Sequence, residues 1–314
     1  MRGRALLAVA VALVVLAVAL TRLSANQYYY FAAYVIFQYV VLATAWNILG
    51  GYTGYVNFGS AGFFALGAYT AAILIKAFQV PFPVLLLAAS TVGGLLGLSL
   101  GYLTLRLRGV FFSIATLALA VVLQTLIVNW EYAGGSRGIY TMRPAEVLFF
   151  GNYVEFLFVV MLILALGALA TARWIEHSWL GRGLAAIRDN EEAAECMGVP
   201  TLRLKLVAAT VSGALMGIAG APFPYYVTYM EPASTFNLDY AVNSLAMPMI
   251  GGATTWVGPL LGAVLLGTAQ QIATVTISSA LNLLIVGVVL VAFVILAPDG
   301  IIGLVRRRRG GRHA

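Results

Sequence analysis

The sequence has little charge and almost no cysteine or histidine. Only 9% of its 314 residues are charged, against roughly 25% in an average soluble protein. Hydrophobic residues make up 62%, which excludes an ordinary water-soluble domain and predicts a polytopic membrane protein. Because Cys196 is the one cysteine, the chain forms no internal disulfide, and we expect a reduced thiol facing the cytoplasm.

Motifs for catalysis and nucleotide binding are missing as well. No G-x-x-x-x-G-K-[ST] string occurs, so the chain does not bind ATP through a P-loop. The sequence contains no metal-ligand cluster and no paired carboxylates of the catalytic type. Residues 134–138 match G-x-S-x-G, but no predicted strand leads into them, as a nucleophile elbow requires. We therefore expect no enzyme activity, no metal site and no cofactor bound by this chain.

Long apolar runs account for most of the chain. A transmembrane helix needs about 20 apolar residues, within a range of ~17–25. The sequence predicts an all-α, polytopic transmembrane bundle that forms a single domain over residues 1–314. About ten spans are predicted, at residues 5–21, 28–49, 57–76, 83–105, 110–129, 154–172, 205–222, 239–253, 257–276 and 280–297. The first run also suits a cleaved signal peptide, but no clean small-x-small site precedes the next span, which favours a retained helix.

The basic residues predict an orientation. Alternating spans with the N-terminus inside leave only four of the 18 Lys and Arg residues outside, namely Arg22, Lys76, Arg137 and Arg143. Both termini, the central loop at 173–204 and the basic tail at 305–314 then lie in the cytoplasm. The net charge of +7 therefore reflects membrane topology and not nucleic-acid binding. The arginine run 306–309 suits an anchor at anionic lipid.

One polar segment, residues 180–198, interrupts the apolar runs. It carries charges that the rest of the chain lacks and lies between two predicted spans, so we expect it in water. The pattern predicts two short helices, at 184–188 and 191–197. Their predicted start and stop signals are the capping-box spacing Asp189…Glu192 and the stop Gly198-x-Pro200.

Two glycine-rich stretches interrupt the predicted spans, at residues 46–69 and 250–263. Glycine costs about 1 kcal/mol relative to alanine inside a helix, so these stretches must allow either unwound backbone beside a path or close helix packing. Both alternatives stay open. Four-residue spacing predicts close packing at Gly93, Gly97 and Gly101, and at Gly213 and Gly217. Neutral polar residues offer either path lining or hydrogen bonds between helices: Gln38, Asn47, Asn57, Gln124, Asn129, Asn243, Ser244, Gln270 and Gln271.

The polar segment resembles a motif of ATP-binding-cassette (ABC) importer permeases. Glu192-Ala193-Ala194-x-x-x-Gly198 is similar to their EAA loop. The longer string from Gly181-Arg182 to Gly198 resembles the permeases for branched-chain amino acids, a family that includes urea and short-amide permeases. Residues 46–69 and 250–263 match motifs of the same family. Asn57-Phe58-Gly59-Ser60 stands where that family often has Ser-Leu-Gly-His, which leaves the substrate open.

The resemblance implies the permease subunit of an importer that moves branched-chain or related amino acids across the plasma (inner) membrane. It implies a homologous second permease, two cytoplasmic ABC ATPases that bind the ATP, and an extracytoplasmic solute-binding protein. ATPase coupling is implied for Gly181, Arg182, Arg188, Glu192, Ala193, Ala194 and Gly198. A place in the translocation path is implied for Asn47, Gly50, Gly51, Gly54, Asn57, Gly59, Gly251 and Gly252.

Two alternatives remain beside this hypothesis. The first is an ABC permease for urea or short amides. The second is a stand-alone channel or secondary carrier for a small neutral solute. No acidic residue lies deep in a predicted span, which counts against a proton- or sodium-coupled carrier, and the EAA-like string counts against both stand-alone forms.

Overall fold

The computed structural model describes residues 27–78, 80–104, 109–142, 152–276 and 300–304, with the separate positions 12, 107, 284, 287, 288, 291 and 292. This part of the protein is almost entirely helical. Its helices are α1 Gln27–Thr53, α2 Ser60–Phe78, α3 Phe82–Thr104, α4 Val110–Val128, α5 Tyr153–His177, α6 Trp179–Asp189, α7 Glu191–Cys196, α8 Thr201–Gly220, α9 Phe223–Val227, α10 Pro232–Thr235, α11 Leu238–Gly251 and α12 Gly258–Thr276. The predicted helical fold is therefore confirmed for these residues.

A small two-stranded ribbon departs from the all-α prediction. Strand β1, Ile139–Tyr140, pairs antiparallel with β2, Tyr229–Met230, so that Ile139 lies opposite Met230. Two short 3-10 turns, Glu131–Ala133 and Gly135–Arg137, lead from α4 into β1. The ribbon joins the segment after α4 to the segment after α9. Strands of only two residues leave no recognisable pattern in a sequence, so the sequence does not predict this long-range pairing.

Six helical stretches of the described part are long and apolar enough to cross a membrane. They are Gln27–Thr53, Ser60–Phe78, Phe82–Thr104, Val110–Val128, Tyr153–His177 and Thr201–Val227. They match the predicted spans from 28–49 to 205–222. The predictions at 239–253 and 257–276 fall on α11 and α12, of which α11 has 14 residues, fewer than a full crossing needs. The predictions at 5–21 and 280–297 and the basic tail at 305–314 lie outside the described residues, so a total of ten spans stays a prediction.

Helix α1 lies at the centre of the bundle. Every residue from Val40 to Thr53 is buried, as expected of a helix that is apolar on all sides. Helices α5, α8, α11 and α12 pack around it. Helix α4 is peripheral instead: it buries one stripe, including Phe112 and Ile127, and exposes the opposite face.

Helices α3 and α8 pack backbone against backbone. A Cβ atom on Gly93 would collide with the carbonyl oxygen of Gly213, and one on Gly97 with that of Ala209. From the other side, a Cβ on Gly217 would collide with the carbonyl oxygen of Ala89. The close packing predicted from the glycine spacing is confirmed at this interface.

Candidate functional site

The polar segment forms two helices that follow α5 directly. Helix α6 begins at Trp179, because the Ser178 side chain caps it by accepting from the amide of Gly181 at 3.4 Å. Leu180, Leu184 and Ile187 are buried on one face, at the spacing of an amphipathic helix. The helix predicted at 184–188 therefore begins too late. The predicted start does not take account of Ser178, which caps the helix at Trp179.

Helix α7 has a different cap from the one predicted. Asn190, not Asp189, is the N-cap, and its side-chain oxygen accepts from the amide of Ala193 at 3.0 Å. The Asp189…Glu192 capping box is thus wrong by one residue. The predicted stop at Gly198 is confirmed: this residue has φ +82°, its amide donates to Glu195, and the amide of Val199 donates to Ala194. These two bonds form a Schellman motif.

The residues implied in ATPase coupling divide into a surface set and a packing set. Arg182, Glu192, Ala193 and Gly198 are exposed. Ala194 is buried instead. Beside the surface set, Cys196 is exposed and Met197 is 84% exposed.

The other two members hold the helices in place. A Cβ on Gly181 would collide with the carbonyl oxygen of Ile175, so glycine lets α6 turn back closely on α5. Arg188 pairs with Asp189 at 3.3 Å. The stem of Arg188 also lies against Gly54, where an added Cβ would come 3.5 Å from its Cγ. This contact brings the polar segment to the end of α1.

The first glycine-rich stretch contains an interruption between α1 and α2, at residues 54–59. The interruption opens with Gly54 at φ +79°. The indole nitrogen of Trp46 donates to the carbonyl oxygen of Asn57 at 2.8 Å, and the side-chain oxygen of Asn57 accepts from the amide of Gly59 at 2.7 Å. The side chains of Trp46 and Asn57 therefore satisfy the Asn57 carbonyl and the Gly59 amide, two backbone groups outside the helices, which supports unwound backbone at residues 54–59.

Close packing accounts for glycines on the helical side of this stretch. Gly50 and Gly51 lie within α1 and are buried. A Cβ on Gly51 would collide with the carbonyl oxygen of Ala253, and the amide nitrogen of the Asn47 side chain donates to the carbonyl oxygen of Thr255 at 3.2 Å. Unwound backbone and close packing therefore both occur, each in a different part of the stretch.

The second interruption separates α11 from α12, at residues 252–257. A Cβ on Gly251 would collide with the carbonyl oxygen of Gly258, so the two helix ends touch through their backbones. Gly252 caps α11 with φ +120°. Gly300 packs on this turn, since a Cβ there would lie 2.5 Å from the Gly252 amide nitrogen. Asn47 and Gly51 of the first glycine-rich stretch therefore contact Thr255 and Ala253 of the second.

The contact between the end of α1 and the second interruption is tightly packed in this structure. Asn47 is fully buried and Asn57 nearly so. The cavity beside Asn57, lined also by Leu49 and Thr116, has a volume of about 20 Å³, room for one water. Neither a path nor a docking role is tested by this geometry, and both remain expectations.

Two pairs of neutral polar residues tie helices together inside the bundle. The Gln270 amide donates to the side-chain oxygen of Asn243 at 2.8 Å, which joins α12 to α11. The hydroxyls of Ser60 and Ser244 lie 2.8 Å apart, which joins α2 to α11. The described contacts favour the interhelical hydrogen-bond interpretation for these residues.

The sequence reasoning missed a buried ion pair next to the polar segment. The predicted orientation places Lys205 at the cytoplasmic side, but its side chain is 3% exposed and its Nζ lies 2.6 Å from Glu191 Oε1. A single lysine at the start of an apolar run is also expected at a membrane boundary. The sequence pattern therefore does not show that Lys205 forms an ion pair. Among the described residues, no group of three or more His, Cys, Asp or Glu is placed to hold a metal ion.

Comparisons with known proteins agree with this architecture. The family model described as "Branched-chain amino acid transport system / permease component" matches residues 28–294. The chain is 30% identical over 294 residues to the high-affinity branched-chain amino acid transport system permease protein LivM of Salmonella typhimurium, covering 85% of this chain and 68% of that protein. It is 29% identical to LivM of Escherichia coli K12 over the same shares. It is 26% identical to the probable permease protein LivH of Methanocaldococcus jannaschii, over 84% of this chain and 88% of that protein.

Proposed function

This chain belongs to the family of branched-chain amino acid transport system permease components, and from that premise we propose that it is the transmembrane subunit of an ABC importer for branched-chain or related amino acids. The observation that carries the proposal is the family match over residues 28–294. A permease of this family is a transport protein and not an enzyme. The partner ATPases bind and hydrolyse the ATP, and this chain binds no cofactor.

The polar segment is the surface on which an ATPase docks. Its support is the arrangement of α6 and α7, two capped helices. Leu180, Leu184 and Ile187 hold α6 against the bundle, while Arg182, Glu192 and Ala193 are exposed. Glu192, Ala193 and Gly198 form the contact surface, with Arg182 and Arg188 beside it. Ala194 and Gly181 act indirectly, because they let α7 and α6 pack closely on their neighbours.

The two interruptions form part of the translocation path. Asn47 and Gly51 of α1 contact Thr255 and Ala253 of the second interruption, and Gly251 lets the ends of α11 and α12 touch. Irregular backbone at membrane depth is tolerated where protein or a cavity surrounds it, which suits a gate. Gly50, Gly54, Asn57, Gly59 and Gly252 complete this set.

The topology completes the proposal. Residues 1–314 form one transmembrane domain of about ten spans in the plasma membrane, with both termini, the loop 173–204 and the tail 305–314 in the cytoplasm. Six long apolar helices in the described part and the positive-inside distribution of Lys and Arg support this topology. The partners are a homologous second permease, two ABC ATPases and an extracytoplasmic solute-binding protein.

The test is a mild-detergent pull-down of the tagged chain from its native membrane, read by mass spectrometry. Recovery of a second permease with P-loop ATPases, and ATP-dependent leucine uptake by that complex in liposomes, is the expected result. Uptake of urea or acetamide but not of leucine would make the amide permease the correct assignment. Recovery of the chain alone, with solute flux in ATP-free liposomes, would overturn the importer in favour of a channel or carrier.

A further inference from the structure

A buried polar cluster joins the start of α7 to the interruption between α1 and α2. Glu191 is the first residue of α7. One of its carboxylate oxygens accepts from Lys205 Nζ at 2.6 Å and the other from the hydroxyl of Tyr55 at 2.5 Å. Lys205 also donates to the Tyr55 hydroxyl at 3.1 Å. The three groups close a triangle of charge-assisted hydrogen bonds, which are stronger and more directional than neutral ones.

The aromatic ring of Tyr55 completes this cluster. The Lys205 ammonium lies 4.6 Å from the centre of the ring, within cation–π range. Phe112 of α4 packs edge-on against the same ring at 5.2 Å. Tyr55 is the second residue of the interruption at 54–59, and the hydroxyl of Ser113 in α4 donates to the carbonyl oxygen of Val56. The interruption is thus held between α4 on one side and α7 with α8 on the other.

A second carboxylate holds the other interruption. The Oε2 atom of Glu176, near the end of α5, accepts from the backbone amide of Trp256 at 2.5 Å and from the Tyr52 hydroxyl at 3.4 Å. Arg173, one turn earlier in α5, lies over the Trp256 ring at 5.1 Å. Trp256 belongs to the interruption at 252–257. Since Ser178 caps α6 directly after α5, Glu176 and Glu191 lie at opposite ends of α6.

The burial of the Lys205–Glu191 pair argues for a geometric role. Removing two charges from water offsets most of their attraction, so a buried pair stabilises a fold little more than packed apolar side chains of similar volume. What the pair does supply is a fixed distance and direction between α7, α8 and Tyr55. Directional contacts of this kind fix the relative orientation of the groups that they join, which non-directional apolar burial does not.

We propose that Glu191, with Lys205 and Tyr55, and Glu176, with the Trp256 amide, are positioning residues that transmit movement of the α6–α7 unit to the two helix interruptions. This inference rests on the proposed function, since it assumes that an ATPase moves α6 and α7. Displacing α7 then pulls Tyr55 and residues 54–59, while displacing the end of α5 pulls Trp256 and residues 252–257. The two interruptions then move together, because both are tied to side chains that flank α6.

The test compares transport with ATP hydrolysis in the complete complex, reconstituted in liposomes. The decisive variant is Lys205→Met with Glu191→Met, which removes both charges and so leaves neither buried alone. We expect thermal stability and ATP hydrolysis close to those of the unsubstituted complex. The amount of leucine moved per ATP should fall by at least about tenfold, equal to ~1.4 kcal/mol of lost coupling.

Further variants separate positioning from folding. Tyr55→Phe removes one hydroxyl and keeps the ring, and Glu176→Met removes the acceptor for the Trp256 amide while keeping the length of the side chain; each should lower the leucine-to-ATP ratio without lowering ATP hydrolysis. Lys76→Met makes the same substitution as in the cluster at the exposed lysine in the last turn of α2, and should change nothing. A normal ratio in the double variant, or in both Tyr55→Phe and Glu176→Met, would overturn the inference. Absence of ATP-dependent uptake by the unsubstituted complex would refute the importer itself, a distinct outcome.

Discussion

Replacing Gly198 with tryptophan perturbs the proposed docking surface at a position where the bundle has room for it. A Cβ atom added at Gly198 meets nothing within 4 Å, so the new side chain points into open space. The backbone at φ +82° costs a non-glycine residue roughly 1–2 kcal/mol. This local cost falls on a Schellman turn outside the predicted spans, and we expect the protein to insert and fold.

The effect of this substitution falls on ATPase binding. A tryptophan presents about 150–250 Å² of surface next to Glu192 and Met197, where the partner is expected to pack. Forcing extra volume into a packed contact costs about 1–3 kcal/mol, which corresponds to roughly 5- to 150-fold weaker association. Transport should fall accordingly while the chain stays in the membrane.

The assay measures leucine uptake in liposomes and the amount of ATPase that co-purifies. Gly198→Asn is the matched control, because asparagine tolerates the left-handed conformation and adds little bulk. We expect near-normal uptake with asparagine and loss of uptake and of bound ATPase with tryptophan. Normal uptake by Gly198→Trp would refute the docking surface, and equal loss in both variants would point to the turn conformation instead.

Three further predictions follow from the described contacts. Cys196, exposed on α7, should react with maleimide in the isolated permease and be protected when ATPases are bound; equal labelling in both states would contradict docking at α7. Gly93→Leu should abolish the close approach of α3 to α8 and lower the melting temperature and yield, whereas Gly167→Ala, where nothing lies within 4 Å, should leave both unchanged. Gln270→Met should destabilise the protein by about 1 kcal/mol and leave the KM for leucine unaltered, whereas a raised KM would show that this residue lines the path.

The length of the apolar runs made the bundle predictable, whereas helix ends and caps depend on competition between neighbouring residues. The predicted spans between residues 28 and 222 match helices because each has enough apolar residues to cross a membrane. The N-cap of α7 is predicted one residue too early, because Asp189 and Asn190 are adjacent and both residue types are good caps. Which of them caps α7 depends on where α6 ends. The pairing of Lys205 with Glu191 and Tyr55 depends on tertiary packing, with Tyr55 separated from Lys205 by 150 positions. Glycine composition located both interruptions but left open which glycines unwind and which pack.

The glycine contact between α3 and α8 determines how the bundle deforms. Backbones that touch at Gly93, Gly97 and Gly217 leave no layer of side chains whose rotamers accommodate sliding, so the two helices behave as one stiff plate. Helix α8 starts at Thr201, three residues after the turn that closes α7. We therefore expect a push on that turn to tilt the plate as a whole, and the irregular backbone of residues 54–59 and 252–257 to take up the strain.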